Sequence, residues 1–254
     1  MRSERRNLKE IRLTAMMRSG HHGIINWLIP HFEGYVLHRN DIMEFAARSK
    51  PTIDEEWGMP DEIRSCYIIN FEELLPSQVS TLYKRYKNRL MDGHSEEVFN
   101  GHVIRDPFNM FASRRKLSIK LERENRNTNR VGKVGWIDDK ALSLWKEYAK
   151  GYLNPEPNDI WINFNEWYLS KEYRRSVSEA FGIDFTDVGL NIVSSHGYGS
   201  SFEGTSYDKQ AQFMPVLERY KTMTRDSIYM DAMKDPEIRD LYSQIWGEIP
   251  KELR

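Results

Sequence analysis

The chain has 254 residues, 39% of them hydrophobic, a formal net charge of −1 and one cysteine. That length accommodates one large α/β domain with a proper core, and the near balance of charge gives no global field that would attract nucleic acid or an anionic membrane. A lone Cys66 excludes an internal disulfide and fits a reducing compartment, and no run approaches the roughly 18 apolar residues of a membrane span.

Residues 1–10 carry Arg2, Arg5, Arg6 and Lys9 and read as a frayed basic lead-in. No apolar signal region follows this charge, so a cytoplasmic protein is expected. Residues 11–17 are short, apolar and bounded by charge, which predicts a buried strand. From His21 the apolar residues Ile24, Ile25 and Leu28 recur on one helical face, predicting a helix over about 21–29 that Pro30 stops. Between strand and helix lies Arg18-Ser19-Gly20-His21-His22. A strand, a glycine turn and a helix start form an anion site, because the first helical N–H groups have no internal partner and the dipole favours negative charge. Set against the phosphate-loop pattern G-x-x-x-x-G-K-[ST], Ala15 and Gly20 take the glycine positions, while His21 and His22 replace the lysine and the Mg²⁺-binding hydroxyl. The frame is that of a phosphate site without the side chains that clamp a transferring γ-phosphate.

Tyr35 to Leu37 read as a second strand, which brings His38, Arg39 and Asp41 to the carboxyl end of a parallel sheet, beside the phosphate loop if the two strands are neighbours. Asp41 can also cap a helix over about 42–49 that includes Glu44. Residues 50–64 read as a loop, residues 65–70 as a third strand and about 77–90 as a helix. Cys66 sits beside Tyr67-Ile68-Ile69 and is expected in the core. Gly101 to Arg105 form a short strand; Asp106 is placed to cap the next helix, about 107–124, and Pro107 to begin it. Ser113 follows Arg105 by eight residues, two turns into that helix. Arg suits an anion here because its fork binds phosphate bidentately.

Together the two motifs resemble those of sulfotransferases that use 3′-phosphoadenosine 5′-phosphosulfate (PAPS). The first, strand-Arg18-Ser19-Gly20-x-x-helix with Trp27, resembles their 5′-phosphosulfate loop. The second, strand-Arg105-Asp106-Pro107 with Ser113, resembles their 3′-phosphate element, in which the Arg and Ser bind phosphate. The two occur in the family's order, 87 residues apart. The resemblance implies one sulfotransferase-like domain over 1–254, a three-layer α/β fold with a central parallel sheet of 4–5 strands, and PAPS held by Arg18, Ser19, Gly20, His21, His22, Gly23, Arg105 and Ser113. It implies no metal, and an acceptor that is a small molecule or saccharide, with neither nucleic acid nor membrane as partner. The family's Thr-His pair before a Leu-Pro element is replaced by Asn70-Phe71-Glu72, so another group must accept the proton. Asp41 and His38 rank first, ahead of Glu44 and Glu72. Arg18 is expected to stabilise the leaving oxygen.

Further along, 125–135 has no apolar period and is a candidate lid. Leu142, Trp145, Tyr148, Ala149 and Tyr152 share a face of a helix over 138–152, and 159–164 reads as a fifth strand. Glu166 and the helix about 171–181 resemble a late element of the sulfotransferase core, where Glu166 is expected to be structural. The run 194–207 is rich in glycine and hydroxyl groups, and Ser200 and Ser201 are expected to take the place of the family's missing Arg-Lys-Gly phosphate element. Residues 208–247 read as two closing helices. A phosphate-loop kinase and a non-catalytic nucleotide-binding protein are the alternative readings.

Overall fold

The structure, a computed structural model, describes residues 6–41, 55–57, 63–90, 94–124, 137–193 and 199–254. The strands are β1 (Arg6–Ala15), β2 (Val36–Arg39), β3 (Glu55–Trp57), β4 (Ile63–Glu72), β5 (His94–Ile104) and β6 (Asp159–Asn163), in the sheet order β3-β2-β4-β1-β5-β6. Five of them are parallel, and β3 is antiparallel at the edge. The helices are α1 (His21–Leu28), α2 (Pro76–Leu90), α3 (Pro107–Arg123), α4 (Asp139–Leu153), α5 (Phe164–Leu169), α6 (Lys171–Ala180), α7 (Ser227–Ala232) and α8 (Pro236–Trp246).

Strand side chains alternate between the two faces. Ile11, Leu13, Cys66, Ile68 and Val103 pack with α1, α5 and α6 on one face. On the other face Ile104 joins α3, α4, α7 and α8, while Tyr67, Ile69 and Phe71 pack near α2. Helices on both faces of a parallel sheet give the three layers expected. Trp27 ties α1 to the sheet's far helix: its Nε1 donates to Asp187 at 3.0 Å, and Arg174 of α6 grips the same carboxylate at 2.8 and 3.0 Å.

Several expectations are corrected. Residues 6–10 are not a frayed lead-in: they pair with β4 on one side and β5 on the other. Their charges are matched across the strands, Arg6 with Glu96 and Lys9 with Glu97, while buried Glu10 accepts from Arg12 at 2.6 Å and Ser95 at 2.5 Å. The 50–64 stretch contains β3 and the start of β4 rather than loop alone. Past α1 the chain turns through a 3₁₀ segment, Ile29–His31, that accepts Pro30. β2 does not neighbour β1; β4 lies between them. The Glu44 helix, the 125–135 lid and residues 194–198 fall outside the described residues.

Candidate active site

β1 ends at Ala15, and the chain reverses over five residues into α1. The turn needs left-handed backbone at Arg18 (φ 67°) and at Gly20 (φ 89°), which N-caps α1 without help from any side chain. Gly20 is required twice over. Its φ favours glycine, and a Cβ there would lie 2.2 Å from the Phe164 ring. The loop is clamped from outside. The Glu73 carboxylate accepts from the Met17 N–H at 2.7 Å and from both Nη atoms of Arg114 at 2.7 and 3.1 Å. Glu73 is itself left-handed (φ 58°) and donates its N–H to Ala15 at 3.1 Å.

The second element stands at the end of β5, the strand beside β1. Asp106 caps α3 as predicted, accepting from the Asn109 N–H at 2.8 Å, and Pro107 begins the helix. This fixes Arg105, which is buried and donates through Nη1 to the Arg18 carbonyl at 3.0 Å and through Nη2 to the Val216 carbonyl. Its guanidinium carbon lies 4.7 Å from the centre of the Phe164 ring. Ser113 is fully buried and does not line the cleft described below; it donates to the Asn109 carbonyl at 3.0 Å and accepts from Arg219 at 3.0 Å. Ser113 therefore reaches the site through Arg219.

Arg219 escaped the sequence reading. It lies in a 3₁₀ turn, Arg219–Met223, in an unpatterned segment, and only its apolar setting between Leu217 and Met223 hints at burial. Its second Nη donates to Ser200 Oγ at 2.8 Å and to Glu203 at 2.9 Å. Arg18 reaches the same loop, donating to the Gly199 carbonyl at 3.1 Å. Ser200 lines the cleft, whereas the Ser201 hydroxyl is buried away from it.

Arg18, Arg105 and Arg219 thus converge. Burial, then the neighbouring charge of Arg219, pushes Arg18 down to about 10 and Arg105 down to about 9; burial also lowers Arg219, against the opposing pull of Glu203. Burial is the leading cause of each shift, and the mutual repulsion of the guanidiniums adds to it for Arg18 and Arg105. The Nε atoms of Arg105 and Arg219 are buried without a hydrogen-bond partner among the described residues. Donors left open in a positive pocket fit an anion.

Around them opens a cleft of about 800 Å³, partly continuous with solvent. Gly20, His21, His22 and Gly23 form one end, the arginines one wall, and Phe164, Trp167 and Tyr168 an aromatic wall. An apolar cleft with a few convergent polar groups is the usual form of a small-molecule site.

Glu72 ends β4, on the other side of β1 from Arg105; like His38 and Asp41 it does not itself line the cleft, but it touches His21 and His22, which do. Its carboxylate lies 3.0 Å from His21 Nε2 and 3.4 Å from His22 Nε2. Burial raises the Glu72 carboxyl, but the two imidazoles outweigh it and hold the group well below the usual range. Burial, then the charge of His21, pushes His22 down to about 3. The three ligand atoms lie within 4.8 Å of one another. That spacing is close enough to share a cation.

The other base candidates stand further off. His38 is buried one strand beyond β4, within hydrogen-bond distance of Asn70 Oδ1 at 2.9 Å, and does not line the cleft. Asp41 follows β2 in left-handed backbone (φ 41°) and does not line it either. Glu44 lies outside the described residues. Glu166 is exposed in the first turn of α5, away from the arginines.

No protein-family model matches the chain, and no curated protein matches it. Among solved structures it is similar to mouse sulfotransferase SULT7A1 complexed with PAP, at 13% identity and a TM-score of 0.44, over 93% of this chain and 89% of that one. It is also similar to the sulfotransferase domain from the curacin biosynthetic pathway, at 13% identity and a TM-score of 0.37, over 72% of this chain and 64% of that one. Both likenesses are distant. No helix among the described residues is long and apolar enough to cross a membrane.

Proposed function

We propose that the chain transfers a sulfuryl group from PAPS to a hydroxyl or amine of a small-molecule or saccharide acceptor by in-line displacement, without a metal. One observation carries this reading: two anion-binding turns, one at Gly20 and one at Arg105, open into the same cleft and are joined by the Arg105–Arg18 bond. A donor with phosphate at both ends of its ribose needs two such turns.

The Gly20 turn and the first amides of α1, with Ser19 to Gly23, hold the 5′ end. Arg105 and Arg219, with Ser113 behind Arg219 and Ser200 beside it, hold the 3′ end. Phe164 and Trp167 supply apolar faces for the base. Charge grows on the leaving oxygen in a loose transition state, and Arg18 is the preorganised cation at that end. The acceptor's proton is assigned to Glu72, an ionised carboxylate oriented by His21 and His22, although its lowered value makes it a weaker base than a free carboxylate. Glu72 is preferred to Asp41, His38 and Glu44 because it ends the strand that adjoins the phosphate loop.

The kinase reading is disfavoured by the engagement of His21, at the lysine position, with Glu72. Calorimetric titration with 3′,5′-ADP and with ATP–Mg²⁺ tests the donor class; binding of ATP–Mg²⁺ alone would refute the reading. A PAPS-dependent screen over small hydroxyl compounds, amines, saccharides and tyrosine peptides then tests transfer and identifies the acceptor.

A further inference from the structure

Beside the 3′ end of the cleft, against two residues that line it, stands an anion. Glu203, with its side chain 15% exposed, accepts from Arg219 Nη2 at 2.9 Å and from the Ser200 hydroxyl. Ser200 in turn accepts from the Phe202 and Glu203 N–H groups at 3.1 and 3.2 Å, and an isolated bridge between Ser200 and Gly204 closes the loop. The donors that grip this carboxylate are those assigned above to the 3′-phosphate.

We infer that Glu203 is a placeholder for that phosphate: it occupies the seat on Arg219 and Ser200 while the cleft has no nucleotide, and a 3′-phosphate displaces it. This rests on the PAPS reading. Two physical requirements favour it. Three guanidiniums gathered in one buried place repel one another, so the ligand-free protein needs a local counter-charge; the charge of Glu203 acts first on Arg219 and least on Arg18 and Arg105. A bound phosphate supplies that counter-charge itself, and a carboxylate left beside it is then a like-charge neighbour. Glu203 also makes the seat selective. A ribose hydroxyl is too weakly charged to take Arg219 from a carboxylate, whereas a phosphate dianion can.

The test compares wild type and E203Q by calorimetric titration with 3′,5′-ADP and with 5′-AMP at one salt concentration. E203Q should bind 3′,5′-ADP roughly tenfold tighter, one 1.4 kcal/mol step, with 5′-AMP unchanged. Its ligand-free melting temperature should fall and be restored by 3′,5′-ADP. Weaker or unchanged 3′,5′-ADP binding by E203Q, or equal gains for both nucleotides, would overturn the placeholder. A wild type that binds no 3′,5′-ADP would remove the donor reading, and this one with it. Should E203Q not fold, a crystal structure of the wild type with 3′,5′-ADP decides: Glu203 must have left Arg219, and a carboxylate still at hydrogen-bond distance refutes the inference.

Discussion

Arg105 Nη1 donates to the backbone carbonyl of Arg18 at 3.0 Å, so the side chain at the tip of β5 holds the main chain of the turn that follows β1. Replacing Arg105 therefore affects both ends of the cleft. Arg105→Ala should weaken 3′,5′-ADP binding by roughly 10- to 100-fold, the worth of one charge-assisted hydrogen bond, and 5′-AMP binding should suffer too because the Arg18 turn loosens. Arg105→Lys should recover little, since a point charge cannot serve both the Arg18 and the Val216 carbonyl. Calorimetry with the two nucleotides reads this; a loss confined to 3′,5′-ADP would show that the two elements are uncoupled.

Gly20→Ala should damage fold and function together. The new Cβ meets the Phe164 ring at 2.2 Å in backbone that already disfavours a side chain. The expected destabilisation is about 1–3 kcal/mol, visible as a lower melting temperature, with nucleotide binding lost because the ring must move. If the variant melted and bound as the wild type does, Gly20 would not shape the loop.

Glu73 touches the loop's backbone rather than the cleft and acts as a positioning residue. Glu73→Gln keeps an acceptor for the Met17 N–H but weakens the bidentate grip on Arg114. It should cost about 1–3 kcal/mol in stability and lower kcat more than it raises KM for PAPS. Steady-state kinetics would sink this if KM alone changed. By contrast Arg18→Ala and Glu72→Gln should reduce turnover by about 10²-fold or more, with 3′,5′-ADP still bound by the Glu72 variant.

The chain should lose stability as pH falls through the ordinary histidine range. His22, His31 and His102 all have lowered values, burial being the leading cause in each. The unfolded chain then binds more protons than the folded one below about 6.5, so unfolding is favoured as pH drops. For His22 the penalty grows down to about 3 and then levels off. Glu72, also lowered, stabilises above its unfolded value, and that contribution goes as pH falls through its lower folded value. Melting temperatures at pH 7.5 and 5.5 should differ in this direction, and His102→Gln should narrow the gap; an equal gap in the variant would rule out His102 as a contributor.

Both turns were legible in the sequence as backbone features, because each depends on local rules: a glycine that must be left-handed, an Asp-Pro pair that caps a helix, and an apolar strand before it. The short apolar runs bounded by charge also announced buried strands. Strand order was not legible. Nothing in Val36–Arg39 or Ile63–Glu72 says which of them lies next to β1, and the ranking of His38 and Asp41 above Glu72 assumed the wrong neighbour. Arg219 was hidden for a related reason. It joins Ser113 across 106 residues of chain, and a lone Arg in a 3₁₀ turn has no periodicity to mark it.

The ladder of β4, β1 and β5 works as a ruler. Glu72, the Gly20 turn and Arg105 sit at the tips of three adjacent parallel strands, and strands lie about 4.8 Å apart. The proposed base, the turn at the leaving group and the far anchor are thereby ordered along one line by main-chain hydrogen bonding. On the proposed roles, an acceptor that reaches Glu72 stands on the β4 side of β1, and the donor's 3′ end on the β5 side. A change of acceptor can accordingly be accommodated on the β4 side while the donor half of the ruler stays as it is.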